Sequence, residues 1–437
     1  LTWTRMSPSQ RIALSYLVVA LLGALFLMLP ICRQTEVSFT DACFTSASAL
    51  YVTGLSSVVT KTTWTPVGDF VIALLIQIGG AGITLVTTSI YLVTGRKITL
   101  GDRMFIAEDK NFQLRGIVRL MKSILYFSFA IEGTATVLFA LYFHFVYHYS
   151  WLKALAISAF HSVSAFNNAG FDVWGNNLEG FQNDAFVLLL TSLLIILGGI
   201  GFLVLVELYN YRRNHQLSLH TKIVLKMTGL LLVVGTLLTL VFEAHGSMAH
   251  LSWPSKVLNA WFTSVTTRTA GFDSVPIGNM HEVTWMVLII LMFIGASPSS
   301  TGGGIKTTTF FMLIKTAMAT IRGSADITAS RRTIPWHIAH KSLVIFLLGM
   351  GVVVTGTLIG AVLEPGISLL RILFEEVSAF GTVGLTTGIT GIVGVPMKWV
   401  IIFTMYLGRI GIFTFLMSIV QKRQSKVRYV EEKILIG

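Results

Sequence analysis

Four tripeptides, Val52-Thr53-Gly54, Asn168-Ala169-Gly170, Thr269-Ala270-Gly271 and Thr382-Val383-Gly384, carry the chemistry this chain is best equipped to offer. None contains an acid, a base or a strong nucleophile. What they share is a glycine, which enters backbone conformations that side chains forbid and so lets consecutive carbonyls point the same way. A row of such carbonyls can replace the water around a cation without titrating. The chemistry on offer is ligation of a dehydrated cation by backbone oxygen.

The run-up to each tripeptide repeats as well. Phe44, Phe160, Trp261 and Phe374 each stand ten residues before the glycine. The glycines are 116, 101 and 113 residues apart, so each loop sits in a unit of its own, and internal periodicity outranks any single motif as a guide to architecture. Segments rich in Ser, Ala and aromatics suit short helices that enter a membrane from outside and stop midway. Their partly negative C-terminal ends favour a cation at the centre. Glycines at such places could instead serve close helix packing, but four at matching positions point to four walls around one axis.

The elements needed to hold these loops are legible in the hydropathy. The chain is 54% hydrophobic and 12% charged, with a mean hydropathy of +0.75, against roughly 25% charged residues in soluble proteins. It reads as an integral membrane protein whose first apolar stretch is retained. Long apolar stretches lie at Ile12–Ile31, Phe70–Val93, Leu120–Phe145, Ala185–Leu208, Ile223–Val241, Val283–Phe293 with Thr307–Met318, Leu343–Val362 and Trp399–Val420. The complete ones approach or exceed the ~20 residues that cross a bilayer as helix, giving an expectation of eight transmembrane helices. The shorter apolar segments that end at the repeated glycines are more often re-entrant than spanning. The expected fold is all-α, with four M1-P-M2 repeats (helix, re-entrant pore loop, helix) at 1–100, 116–212, 219–325 and 336–422 around a pseudo-fourfold axis, and a tail at 423–437.

Of the 32 Lys and Arg, 22 fall in the N-terminus, the connections between units and the tail, and seven on the opposite face. The positive-inside bias places both termini in the cytoplasm and the four loops outside. The net charge of +12 then calls for no nucleic acid. An excess of acids on the outer face, Asp172 and Asp273 among them, would concentrate cations modestly.

A second pattern follows three of the loops, as Ile78-Gly79-Gly80-Ala81-Gly82, Leu197-Gly198-Gly199-Ile200-Gly201 and Leu407-Gly408-Arg409-Ile410-Gly411. Small residues there let helices approach or bend, and packing alone would account for them. The third unit instead carries Ala296, Ser297, Pro298, Ser299, Ser300, Thr301, Gly302, Gly303 and Gly304 inside what should be a span, followed by Lys306. Such a segment cannot hold a helix, and irregular backbone at membrane depth needs protein or water to satisfy it. It is either a gate below the loops or a passive kink. Arg409 stands mid-span in the last helix, where an unpaired guanidinium is costly. It belongs either to the pore, holding carbonyls of that segment, or to a structural pair with Glu132, Glu207 or Glu243.

These features together resemble the superfamily of K⁺ transporters comprising the Trk, Ktr and plant HKT proteins, over essentially the whole chain. Eight spans without an extra pair before the first unit resemble its Ktr branch. The resemblance implies that Gly54, Gly170, Gly271 and Gly384 are selectivity-filter glycines binding K⁺ through backbone, that 296–304 is an intramembrane gate and that Arg409 is the cationic element beside it. Some plant members with Na⁺ preference carry serine at the first filter position, so Gly54 favours K⁺. It further implies a homodimer with one pore per chain, multi-pass in a bacterial plasma membrane. A cytoplasmic KtrA-like ring of nucleotide-binding regulatory subunits would bind the nucleotide, and Na⁺ would act as activator or companion ion. Docking surfaces for that ring would be the basic connections Arg96–Lys122, Arg212–Lys226 and Arg322–Lys341 and the tail Gln421–Gly437, although lipid headgroups explain their charge equally well.

Two other classes compete. A Na⁺- or H⁺-coupled secondary transporter would need an ionisable group near the midplane, and Glu132, Glu207 and Glu243 are candidates that do not recur across the units. An enzyme is disfavoured, because no histidine is placed to serve Ser297 as base and Gly302–Lys306 lacks the adjacent Gly-Lys of a phosphate loop. Cys32 and Cys43 read as free thiols, without metal-site spacing.

Overall fold

The structure, a computed structural model, describes residues 6–83 and 117–419, together with Glu432. Helix α1 (Pro8–Leu27) starts from a capping box at Ser7, whose hydroxyl accepts from the Gln10 amide. A short helix α2 (Phe39–Tyr51) and a third, α3 (Pro66–Ala81), follow. The same succession recurs as long α4 (Ile117–Phe145), short α5 (Trp151–Phe166), and α6 (Ala185–Gly199) continued by α7 (Phe202–Asn214). It recurs again as α8 (Leu219–Glu243), α9 (Trp253–Thr266), and α10 (Glu282–Phe293) with α11 (Thr307–Ile321). The last round is α12 (Trp336–Leu363), α13 (Leu369–Gly381), and α14 (Val395–Ile410) with α15 (Ile412–Ile419). The short helices α2, α5, α9 and α13 all begin after a serine, Ser38, Ser150, Ser252 and Ser368, a residue type favoured at helix starts, although of the four only Ser38 uses its side chain to accept a first-turn amide, that of Asp41.

Pro8–Leu27, Met121–Phe145, Leu219–Glu243 and Trp336–Leu363 are each long and apolar enough to cross a membrane. Their outward faces leave Leu21, Leu141, Leu237 and Leu358 exposed, as lipid-facing residues would be. The expected second spans are different. Ala185–Gly199 and Phe202–Arg212 meet at a bend of 100° at Gly201, Val395–Ile410 and Ile412–Ile419 at one of 94° at Gly411, and α3 stops at Gly82. These three glycines take φ of 97°, 86° and 89°, in a region essentially reserved for glycine. Counting each bent pair as one span gives up to six candidates among the described residues.

The fold closes on itself. One buried cluster joins Tyr16 and Leu27 of α1 and Ile72 of α3 to Ile372 of α13 and Met405 of α14. Across that seam Tyr406 donates to the Ala13 carbonyl at 2.9 Å, and Lys398 Nζ donates to Asp41 Oδ1 at 2.7 Å. Burial alone would raise the Asp41 carboxyl, but hydrogen bonds from Lys398, Ser38 and Ser57 outweigh it and hold it below the usual range. A carboxylate so depressed adds stability at neutral pH that disappears as pH falls through its folded pKa. Lys398→Met is therefore expected to lower the unfolding midpoint at pH 7 by the equivalent of about 1 kcal/mol, a modest figure because water screens part of the pair. The deficit should shrink in acid, and midpoints identical to the parent's at pH 7 would remove the pair from the seam.

The all-α expectation needs one amendment. Between α11 and α12, β1 (Ile327–Ala329) pairs antiparallel with β2 (Arg332–Ile334). The hairpin turns at Ser330 and Arg331, both with positive φ, as a two-residue turn requires. Residues 84–116, holding the end of the expected first unit and most of Arg96–Lys122, lie outside the described residues. So does the tail Gln421–Gly437 apart from Glu432. Cys32 and Cys43 are free and buried.

Candidate functional site

The short helices deliver the four tripeptides to one place. Gly54, Gly170, Gly271 and Gly384 all have positive φ (94°, 69°, 76° and 95°), and so do the residues two before them, Val52, Asn168, Thr269 and Thr382 (58°, 60°, 72° and 50°). Positive φ at the first and last residue of each tripeptide but not at the middle one is an alternation that can turn successive carbonyls toward one side. For β-branched Val52, Thr269 and Thr382 this conformation costs about 1–3 kcal/mol each, so surrounding contacts must impose it.

Those contacts form a ring. A Cβ added to Gly54 would lie 2.6 Å from the Ala169 carbonyl oxygen, and one on Gly170 would lie 2.7 Å from that of Ala270. A Cβ on Gly271 would collide with the Val383 carbonyl oxygen, and one on Gly384 with that of Thr53. Each glycine thus abuts the next loop in chain order, and the fourth returns to the first. In every case the added Cβ would come within 3.0 Å of the next glycine's Cα.

Behind the ring, the helix ends are tied down alike. The amides of Thr53, Ala169 and Val383 each donate at 2.8 Å to the carbonyls of Ser48, Ser164 and Ser378. The same serines use their hydroxyls too: Ser48 Oγ accepts from the Gly54 amide at 3.0 Å, Ser378 Oγ accepts from Gly384 at 3.1 Å, and Ser164 Oγ donates to the Phe171 carbonyl. A serine six residues before the glycine was available as a signal in three of the four repeats. The third has Val265 there, and its Ala270 amide bonds to Thr266 instead. Gly79, Gly198 and Gly408 pack directly on the carbonyls of Leu50, Phe166 and Phe380 at the helix ends. Within the second pattern, then, the first glycine serves packing, and the last one bends the chain at Gly201 and Gly411 and ends the helix at Gly82.

The interrupted segment lies against one face of this ring. Ser297 and Thr301 amides donate to the Gly199 and Gly198 carbonyls, and Phe202 N donates to Ser299 O at 3.0 Å. Thr301 Oγ1 reaches the Phe166 carbonyl, and the Gly303 amide donates to Thr382 Oγ1 at 2.9 Å. A Cβ on Gly302 would overlap Thr269 Oγ1. The segment therefore touches the second, third and fourth loops from below. Lys306 Nζ donates to the Gly302 and Gly303 carbonyls at 2.7 and 3.2 Å. Arg409 donates to the Thr301 carbonyl and to that of Gly79 in α3. Glu132, Glu207 and Glu243 are engaged elsewhere, with Asn167, with Ser218 and Thr221, and with Ser247 and Thr284. Of the two readings of Arg409, contact with the segment is the one realised.

On the face of the ring away from that segment the four glycines floor a cavity of about 330 Å³ whose walls include Asp172, Glu179 and Asp273. Burial, reinforced by Glu179 and Asp172, pushes the Asp273 carboxyl up to about 8. Burial also raises Asp172 and Glu179. Sequence inspection missed Arg268, which is 6% exposed behind the third loop, its Nε and Nη1 without a hydrogen-bond partner among the described residues.

The family model described as TrkH, cation transport protein, matches residues 4–428. Among curated proteins, the chain is 39% identical to Ktr system potassium uptake protein B of Bacillus subtilis, over 100% of this chain and 98% of that one. It is 36% identical to potassium/sodium uptake protein NtpJ of Enterococcus hirae, over 99% and 98%. The crystal structure of the potassium transporter TrkH from Vibrio parahaemolyticus shares the fold, with a TM-score of 0.75 at 21% identity over 96% of this chain and 86% of that one. With a family model spanning nearly its whole length, this chain belongs to the TrkH family of cation transport proteins.

Proposed function

We propose that the chain is a K⁺-uptake subunit of a multi-pass plasma-membrane system, in which K⁺ passes through the ring of loops and then past the interrupted segment. The observation that carries this reading is the closed succession of glycine on carbonyl from Gly54 to Gly170, Gly271, Gly384 and back to Gly54. In it, the carbonyls of Thr53, Ala169, Ala270 and Val383 are the ion's ligands, and 296–304 with Lys306 and Arg409 is the gate. Eight crossings in four like-oriented units, at 1–100, 116–212, 219–325 and 336–422, would put the loops outside and both termini in the cytoplasm, as the basic residues favour. K⁺ then enters down its electrochemical gradient, gaining about 2.3 kcal/mol per 100 mV. The relatives named as Ktr system and potassium/sodium uptake proteins support K⁺ as cargo and Na⁺ as companion or activator. A homodimer on a cytoplasmic nucleotide-binding ring completes the proposal, with transport and no enzymatic step.

The test is flux of K⁺ and Na⁺ into liposomes containing the purified chain, under voltage alone, comparing the parent with Gly170→Asp. Voltage-driven K⁺ entry abolished by the substitution supports the pore. K⁺ movement that needs a Na⁺ or H⁺ gradient would replace it with a coupled transporter.

External pH offers a second check. With its carboxyl near pKa 8, Asp273 is largely neutral at pH 6 and charged at pH 9, so the outer cavity gathers cations better in alkali. K⁺ flux at low external K⁺ should rise severalfold from pH 6 to 9, and Asp273→Asn should flatten that rise. A variant with the parent's full pH dependence would exclude Asp273 as its source.

A further inference from the structure

The third loop departs from the others in how its backbone is held. Val265 stands where the other three have Ser48, Ser164 and Ser378, and a valine side chain can neither donate to the loop nor accept from it. The contacts that hold this loop come from the second repeat. On the side of the 330 Å³ cavity, Asn177 Nδ2 donates to the Gly271 carbonyl at 3.3 Å, and the Leu178 amide donates to the Asp273 carbonyl at 2.9 Å. At the other end of the tripeptide, Asn168 Nδ2 donates to the Arg268 carbonyl at 3.2 Å and to Thr269 Oγ1 at 3.3 Å. The second repeat therefore grips the third loop on both sides of Ala270.

Packing seats the grip independently of these bonds. Leu178 and Phe272 are fully buried in one cluster, and Phe272 meets the His161 ring of α5 edge-on at 5.2 Å. Asp172 Oδ2 accepts the Gly175 amide at 2.6 Å and so shapes the turn that leads to Asn177. Asn177 itself is left-handed, with φ of 53°, a conformation that asparagine adopts more readily than most residues.

We infer that Asn177 and Asn168 are positioning residues for the third loop, and that by fixing its carbonyls they set part of the ring's preference for K⁺ over Na⁺. A carbonyl free to tilt follows the smaller Na⁺ inward, whereas one that accepts an N–H keeps its direction and the wider spacing that suits K⁺. Ion preference at the third loop is thus controlled by side chains of a different repeat. That consequence rests on the pore reading above, whereas the grip itself does not.

Two measurements on the full-length chain test the two parts separately. Hydrogen–deuterium exchange read by mass spectrometry in detergent reports the grip, because a loop released from its donors opens more often. The K⁺/Na⁺ flux ratio in liposomes under voltage reports ion preference. Asn177→Gly removes the side-chain amide while leaving the left-handed backbone open to the chain. It should speed exchange in the peptide covering 267–275 and lower the flux ratio about threefold to tenfold, the equivalent of one neutral hydrogen bond. Asn168→Val, which gives the second loop the residue type the first carries as Val52, should do both as well. Asn176→Ser, at an exposed neighbour on the same turn, should do neither. Faster exchange together with a lower ratio supports the inference. Faster exchange with the parent's ratio upholds the grip and overturns its part in ion preference. Exchange like the parent's in both Asn177→Gly and Asn168→Val overturns the inference as a whole. A parent that passes neither ion under voltage, with exchange still faster in the two variants, counts against the pore reading and upholds the grip.

Discussion

Gly384→Ala should reduce K⁺ flux on the order of 100-fold, the penalty for misplacing coordinating atoms by about 1 Å, while the protein still folds and inserts. The new methyl group would overlap the Thr53 carbonyl oxygen and lie 3.0 and 3.1 Å from the Cα atoms of Gly54 and Gly271. All three neighbours are backbone, so none can swing aside as a flexible side chain could. The fitting control is Gly388→Ala. Gly388 also has positive φ, at 90°, but a Cβ there meets nothing within 4 Å, so alanine imposes comparable backbone strain without entering the ring. Flux within a fewfold of the parent is expected for it. Equal losses in the two variants would attribute the effect to strain and remove Gly384 from the conduction path.

Arg409→Gln should raise K⁺ flux about tenfold or more in liposomes containing the chain alone. The guanidinium bridges the Thr301 carbonyl in the interrupted segment and the Gly79 carbonyl in α3, stapling the segment to an element that lies 330 residues before the arginine itself. Hydrogen bonds from a charged donor contribute roughly 1.5–3 kcal/mol, and each 1.4 kcal/mol shifts a two-state equilibrium about tenfold. Glutamine keeps polarity while losing the charge and the two-pronged reach. Unaltered or diminished flux from a folded variant would make the arginine a structural brace.

The four loops could be found from spacing because a tetrad of walls needs the same local conformation four times, and identical conformation selects glycine at identical places. The broken third helix was legible for a similar reason: Pro298 and Gly302–Gly304 cannot be hidden in an apolar run. The bends at Gly201 and Gly411 were not, since hydropathy averages over a window and is blind to one residue's φ. Left-handed Val52, Thr269 and Thr382 run against local preference. Hydrogen bonds at each helix end and contacts between loops a hundred residues apart hold them together, and residue-type preference announces neither. The destination of Arg409 is hidden likewise, because its acceptors are backbone carbonyls, which every residue possesses and no residue type announces. The serines before Gly54, Gly170 and Gly384 were visible as letters but acquired a role only once the amides they hold were seen.

A ring assembled from one polypeptide has quadrants that can diverge. In a channel built from four identical chains any germline substitution strikes all quadrants at once, so ion preference changes in large, mostly lethal steps. Here the position two residues beyond the ring glycine already carries three residue types among the four quadrants, as Ser56, Asp172, Asp273 and Thr386. A single codon change therefore perturbs a quarter of the ring, and under the proposed function selection could tune ion preference in small increments, one wall at a time.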